Sequence, residues 1–467
     1  MKSQENPSQN PKLPKGYKQT EVGVIPEDWV VSKIGDSFTF KNGLNKEKKY
    51  FGQGTPIINY MDVYKNVEIK PEAITGKVDL NFQEIGNYEV KSGDVFFTRT
   101  SETVDEIGIS SVIIKESKKF VFSGFVLRAR PLNQLFSMSY CRYCFRAEIA
   151  RKQIVSTASY TTRALTNGRL LSNVLIPLPP TLAEQEKIAE VLSDTDAYIE
   201  KLESILQKKK WIKQGAMQEL LTGRKRLVGK SNKAELRKQT SKNTDVPSGY
   251  KMTEVGVIPE DWVVRKLGDV VDQDKQWSFT GGPFGSNLKS SDYKNQGIRI
   301  IQLQNIGDGK FLNDYKIYTS EEKSKQLESC CIYPDEIIIS KMGDPVARAC
   351  VTPNYHSKYL MCSDGIRLVV NKNMFSNLLI LYIINYDTFR NIANLASIGS
   401  TRKRIGLREL RNLPIPLPPT LAEQEKIAEV LSDMDAEIEK IEYKIEKYKY
   451  IKKGMMQKLL TGQLRLV

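Results

Sequence analysis

The stretch IPLPPTLAEQEKIAEVLSDTDAYIEKLE, Ile176 to Glu203, returns as IPLPPTLAEQEKIAEVLSDMDAEIEKIE, Ile415 to Glu442. In each copy a Pro-Pro pair precedes Thr181-x-x-Glu184 or Thr420-x-x-Glu423, the form of a capping box. There the Thr oxygen accepts from an orphan amide of the first turn, and the Glu side chain reaches back to the cap residue's own N–H. Behind the cap, Ile188, Leu192, Thr195, Ile199, Leu202 and Leu206 fall at alternating steps of four and three, as do Ile427, Leu431, Met434, Ile438, Ile441, Ile445 and Tyr448. This spacing predicts two long helices with a coiled-coil seam flanked by Glu and Lys. Thr222-Gly223 and Thr461-Gly462 should end them, because glycine accepts the left-handed turn that closes a helix. About forty residues at ~1.5 Å rise make a rod of ~60 Å. Two such helices in one chain most simply pack on each other.

A second block repeats as well: YKQTEVGVIPEDWVVSKIGD, Tyr17 to Asp36, returns as YKMTEVGVIPEDWVVRKLGD, Tyr250 to Asp269. The offset is 233 residues for this block and 239 for the helical one, so the second insert is six residues longer and the frames are constant. The pattern is a duplication of a whole half-molecule rather than a solenoid. It divides the chain into a disordered tail over 1–15, a first insert domain over 16–175, a central helix over 176–228, a polar linker over 229–248, a second insert domain over 249–414 and a C-terminal helix over 415–467. The near-identity of the helical copies extends to the exposed residue types Glu184, Gln185, Glu186 and Lys187, repeated as Glu423, Gln424, Glu425 and Lys426. Two copies of one solvent face are expected to bind two copies of one partner.

The 467 residues carry a net charge of +15, which points to a polyanionic partner, nucleic acid before an anionic membrane. The first fifteen residues lack the apolar core of a signal peptide, and the longest apolar run, Leu378 to Ile384, is far short of a membrane span. A cytoplasmic location without membrane contact is expected. Six cysteines are too few and too scattered for a disulfide framework, and the Cys141-x-x-Cys144 pair lacks a second ligand pair for a metal. His356 is the only histidine, which removes most acid–base and Ser-His-Asp chemistry.

The inserts look unrelated but share a strand pattern. GTPIINYMDV (Gly54 to Val63) matches GIRIIQLQNI (Gly297 to Ile306), GDVFFTRTSE (Gly93 to Glu102) matches PDEIIISKMGD (Pro334 to Asp344), and SGFVLRARP (Ser123 to Pro131) matches SDGIRLVVN (Ser363 to Asn371). Exposed positions differ: Asn59 and Asp62 stand where the other insert has Gln302 and Asn305, the kind of exchange a changed base-reading surface needs. Before each helical block lies a basic, hydroxyl-rich stretch in which Thr161-Thr162-Arg163 aligns with Ser400-Thr401-Arg402, followed in the second copy by Lys403 and Arg404. Hydroxyls and guanidinium groups suit phosphate clamping, and Arg can also grip guanine O6 and N7. The candidate DNA-binding residues are therefore Asn59, Arg99, Ser101, Thr161 and Arg163 in the first insert. In the second they are Lys289, Gln302, Gln304, Asn305, Lys341, Arg348, Thr401, Arg402, Lys403 and Arg404.

The order of unlike insert, Ser/Thr-Arg loop and IPLPP-x-x-EQ-x-x-IA helix, followed by the whole again, resembles the specificity (S) subunit of type I restriction-modification enzymes, the HsdS family. VIPEDW at both insert entrances and GGPFGSNLKSSDY (Gly281 to Tyr293) are further marks, and the resemblance covers nearly the whole chain from Gly16. It implies two target recognition domains of α/β (α+β) fold, separated by an antiparallel coiled coil of two helices. It implies double-stranded DNA as ligand, two methyltransferase subunits docked on the scaffold, and motor-nuclease subunits in the full complex. It also implies no cofactor on this chain, with S-adenosylmethionine on the methyltransferase partners. The first insert departs from the pattern, offering FKNGLNKEKKYFGQGTP (Phe40 to Pro56) in place of GGPFGSNL.

The residues disfavour two other classes. A self-contained methyltransferase needs a loop of the [DNS]PP[YF] type, and the chain has only LPPT at two helix starts; GRKRLVGKS (Gly223 to Ser231) lacks P-loop spacing. No convincing nuclease core is present. A coiled-coil adaptor without a DNA role fits neither the charge nor the large inserts.

Overall fold

The computed structural model describes residues 13–115, 119–160, 162–227, 246–399 and 402–466. Most of the expected tail and linker, and the candidates Thr161 and Thr401, lie outside the described residues. The chain forms two compact units, Met1–Ser204 with Glu442–Val467, and Ile205–Ile441. The long helices, Leu182–Leu221 and Leu421–Leu459, each contribute one part to either unit. No helix among the described residues is long and apolar enough to cross a membrane. All six cysteines are free and buried.

In the first unit the repeated frames pair with each other. Val30–Lys33, just after Trp29, forms an antiparallel ladder with Leu175–Leu178, which leads into the first long helix. In the second unit Val263–Lys266 pairs in the same register with Pro414–Leu417. Each ladder closes the neck of an insert, so the insert's length can change without moving its ends. Inside the first insert a four-stranded antiparallel sheet runs in the order Phe38–Asn42, Val126–Pro131, Val95–Thr98, Ser110–Val112. Beside it Val121–Phe122 runs parallel to Phe51–Ile58. The second insert repeats both sheets with Phe279–Gly281, Gly365–Leu368, Ile337–Ser340 and Ala349–Val351, and with Ile298–Ile301 parallel to Tyr359–Met361. The central strands VFFT and IIIS are buried at every position, which is why Val95–Phe97 and Ile337–Ile339 are apolar without alternation.

Register fixes which residues correspond. Val126 faces Thr98 and Gly365 faces Ser340, so the Ser123–Pro131 match to Ser363–Asn371 slips by one residue. Ladder hydrogen bonds set the pairing, and shared Ser and Gly letters do not. The corrected register superposes the buried Arg128 and Arg367, and Asp94 on Glu336. Both carboxylates hold a guanidinium, Asp94 that of Arg130 and Glu336 that of Arg367, each at 2.7 Å.

Half of each capping box forms. Thr181 Oγ1 accepts from Glu184 N–H at 3.2 Å and Thr420 Oγ1 from Glu423 N–H at 3.3 Å. The Glu carboxylates do not turn back to the cap. Glu184 accepts from Arg465 Nε and Nη2 at 2.7 and 2.8 Å, and Glu423 accepts from Arg226 in the same way. Each guanidinium also grips an Asp of the entry frame, Asp28 or Asp261.

The expected helix ends are present, with Gly223 at φ +70° and Gly462 at φ +71°. A Cβ on Gly462 would lie 2.4 Å from Pro26 Cδ, and one on Gly223 would lie 2.5 Å from the Pro259 ring. Tyr17 donates to Gly462 O at 3.0 Å and Tyr250 to Gly223 O at 3.2 Å. The end of the second long helix thus seats on the first entry hairpin, with Leu459 and Leu460 in the core around Trp29. The end of the first seats on the second hairpin, with Leu220 and Leu221 around Trp262.

Within each unit the helix segments run antiparallel. In the first, Asp196 pairs with Lys452, Tyr198 packs on Tyr448 with ring centroids 4.6 Å apart, and Glu203 meets Lys449 at 3.0 Å. In the second, Lys209 meets Glu437 at 2.6 Å and Lys213 pairs with Asp435. The seam serves two purposes. Ile188 and Leu192, like Ile427 and Leu431, enter the core of their own insert, while Ile199, Leu202 and Ile438 are buried outside those cores and Ile441 is half-buried.

Gly462→Val should lower the unfolding temperature by several degrees, because a β-branched residue meets both a left-handed φ and a proline ring, together costing about 2–4 kcal/mol. Gly215→Ala, in an open helix interior with nothing within 4 Å, should be neutral or stabilising by up to about 1 kcal/mol. Differential scanning calorimetry of the two variants checks the contrast.

Candidate nucleic-acid interface

In the first insert the central strand leaves the sheet at Arg99. Its N–H donates to Phe125 O at 3.0 Å and its carbonyl accepts from Thr166 N–H at 3.1 Å. Beyond it Thr100–Ser101 pairs with Ala164–Leu165, which pairs with Ser159–Tyr160, so the hydroxyl-rich stretch becomes a small three-stranded sheet. Arg163 lies exposed in its turn. In the second insert the strand leaves at Lys341. Its N–H donates to Asp364 O at 2.7 Å and its carbonyl accepts from Ile405 N–H at 3.0 Å. Arg404 bridges both Met342 and Ile398. The two exits are the same backbone construction, with Arg99 matched to Lys341, Phe125 to Asp364, and Leu165 to Arg404.

The second exit gathers five of the predicted residues. Gly343 N–H donates to Lys403 O at 3.2 Å, and the Arg348 guanidinium lies beside Gly343. Arg404 donates to Asp364 Oδ1 at 3.0 Å, while Arg402 stands exposed two residues before it. Arg348 Nε is buried without a hydrogen-bond partner. Burial and then the neighbouring Arg404 pull the Lys341 ammonium below the usual lysine range, with Asp364 opposing. Crowded cations with free donors are suited to phosphate oxygens and to guanine acceptors.

A loop borders each exit. Gly282 N–H donates to Gly365 O at 2.8 Å, and a Cβ there would lie 1.7 Å from Cys362 O, so only glycine fits. This close approach carries the exposed Phe284 to the loop tip. Gly43 repeats the contact, its Cβ position 2.1 Å from Ser123 O. The GGPFGSNL loop therefore has a positional counterpart at Asn42–Asn45 despite the lack of a sequence match.

Several expected contact residues are occupied elsewhere. Asn59 and Gln302 occupy equivalent positions, as the strand pattern implied, but both precede a helical turn that they help to cap: Asn59 N–H donates to Asp62 at 2.8 Å and Gln302 N–H to Asn305 at 2.9 Å. Asn305 is fully buried and donates to Leu312 O and Tyr315 O. Ser101 is buried and bonded to Glu106 at 3.1 Å, whose carboxyl is held below its usual range first by Tyr64 and then by Ser101. Gln304 and Lys289 are exposed but are not hydrogen-bonded into either strand exit. Sequence reading missed Phe125, Leu165, Asp364 and Phe284; comparing the inserts at the register of the strand exits is the signal that finds the first three.

The expected partner face also changes. Glu184 and Glu423 are buried by their Arg partners, and Gln185 and Gln424 are buried as well. Gln185 accepts from Ser137 N–H and donates to Leu135 O, and Gln424 accepts from Ser376 N–H. These four are alike in both halves because they clamp each insert to its helix. Lys187 and Lys426 remain exposed, each paired with a Glu one turn on. Exposed apolar residues at matching positions lie further along: Trp211 and Ile212 on the first long helix, and Tyr450 and Ile451 on the second.

The family described as Type I restriction modification DNA specificity domain matches residues 26–213 and again 259–447. A putative type I restriction enzyme MjaX specificity subunit of Methanocaldococcus jannaschii is 28% identical over 463 residues, covering 96% of this chain and 97% of that protein. The MjaVIII specificity subunit of the same organism is 24% identical over 96% of each chain. The crystal structure of a type I restriction-modification system S subunit from M. genitalium superposes with a TM-score of 0.54 at 14% identity, covering 96% of this chain and 97% of that one. With the family domain present twice and relatives aligned nearly end to end, the chain belongs to the type I restriction-modification specificity subunit family.

Proposed function

We propose that this chain is the non-catalytic DNA-recognition subunit of a type I restriction-modification complex, each insert reading one half of an asymmetric, bipartite site. The supporting observation is the pair of strand exits, alike in backbone and unlike in side chain. Arg99 and Arg163 serve one half-site; Lys341, Arg348, Arg402, Lys403 and Arg404 serve the other. Two unlike readers select two unlike half-sites, whereas a pair of identical readers would select a palindrome. The bases between the half-sites form a spacer of constant length and unread sequence. Methyl transfer and DNA cleavage belong to partner subunits, with S-adenosylmethionine bound by the methyltransferases.

Two methyltransferase subunits dock on the duplicated apolar faces of the helices. Trp211, Ile212 and Gly215 recur as Tyr450, Ile451 and Gly454, with Trp211 65% and Tyr450 80% exposed. A helix-interior glycine costs stability, and at these two positions it leaves room for another helix to approach closely. Aromatic anchors of this kind carry most of an interface's affinity.

Trp211→Ala should remove one methyltransferase subunit from the purified complex and Trp211→Ala/Tyr450→Ala both, with circular dichroism unchanged. Native mass spectrometry reads the stoichiometry; a complete complex from the double variant contradicts the docking faces. Arg402→Ala should weaken duplex binding by the assembled complex and reduce the slope of log affinity against log salt by about one if Arg402 holds a phosphate. An unchanged slope with a loss confined to one base position makes it a base reader, and an assembled complex with no affinity for duplex DNA contradicts the proposed function.

A further inference from the structure

The strand exits differ by a coupled exchange. On either side of the exit cation the second insert places Asp364 and Arg404, joined at 3.0 Å. The first insert places Phe125 and Leu165 at the same two backbone positions beside Arg99. Neither is sheltered: Phe125 is 59% exposed and Leu165 38%. A single exposed apolar side chain needs no explanation. Here both members of an ion pair are replaced together by apolar residues, next to a cation, on the edge that carries the hydroxyl-rich sheet.

Resting on the DNA-recognition reading above, we infer that these two positions choose the base read by each insert: Phe125 and Leu165 read a thymine, and Arg404, held by Asp364, reads a guanine. The thymine 5-methyl is the one apolar group on the major-groove edge of a base pair, so a ledge without hydrogen-bonding groups gains contact from thymine alone and nothing from the polar groups that every base pair shows there. Arg99 beside the ledge supplies the charge that holds the duplex against it. In the second insert Asp364 accepts from Arg404 Nη2 and orients the guanidinium, and the remaining donors match guanine O6 and N7.

The test exchanges the pair. Phe125→Asp/Leu165→Arg, assembled with its partner subunits, should still methylate DNA but at sites in which one position of one half-site has lost its preference for thymine by tenfold or more, with the other half-site unchanged. Asp364→Phe/Arg404→Leu should alter one position of the opposite half-site. With the unaltered complex, replacing each thymine of the first insert's half-site in turn by uracil, which removes the methyl group alone, should weaken binding at one position about three- to fivefold, the worth of one methyl group withdrawn from water. Unchanged sites in the exchanged variants, or a half-site in which no uracil substitution matters, overturn the inference. A wild-type complex without two unlike half-sites overturns instead the function on which it rests.

Discussion

Each half of this protein is completed by a helix end. Gly462 ends the second long helix against Pro26 and Trp29, and Gly223 ends the first against Pro259 and Trp262. A buried tryptophan withdraws roughly 150–250 Å² from water, about 4–6 kcal/mol by area, and both indoles here are closed over by that contact. The guanidinium that follows each glycine then locks the entry frame to the helix start, Arg465 on Asp28 and Glu184, Arg226 on Asp261 and Glu423. The first insert therefore depends on the last residues of the chain, and neither insert is a free-standing bead on a string.

That constraint explains the division between constant and variable sequence. Residues that make the neck ladders, the helix ends and the Arg–carboxylate clamps occur twice with little change because each must fit a partner that is also duplicated. The strand exits obey the same rule for backbone only. Thr166 and Ile405 hold the carbonyls of Arg99 and Lys341 identically, and the side chains that project from this common frame are free to differ. If these exits read DNA as proposed, changing specificity needs a few substitutions and no change of fold, as the Phe125/Leu165 to Asp364/Arg404 exchange would illustrate within one chain.

Much of this was legible in the sequence. The duplication, both helices, their Thr caps and their glycine ends followed from spacing and helix chemistry, and the strand match correctly paired Asn59 with Gln302 and Arg99 with Lys341. A shared polar residue is not always a shared exposed one. Glu184 and Gln185 have the composition of a solvated face, but the Arg that buries Glu184 lies at position 465, and no local pattern reveals it. Asn305 and Ser101 are of types that can bond bases; the fold uses the same capacity to cap a turn and to hold Glu106. Phe125 has no charge or hydrogen-bonding group to mark it, and its correspondence to Asp364 is set by the ladder register, one residue away from the best match of letters.

The central claim is that two unlike readers in one chain select one asymmetric site. It is tested most directly by mapping every methylated base in a genome that carries this chain with its partner subunits. The account predicts a single motif of two different half-sites at constant spacing, with no sequence preference between them. A palindromic motif, or half-sites whose spacing varies from site to site, would contradict it.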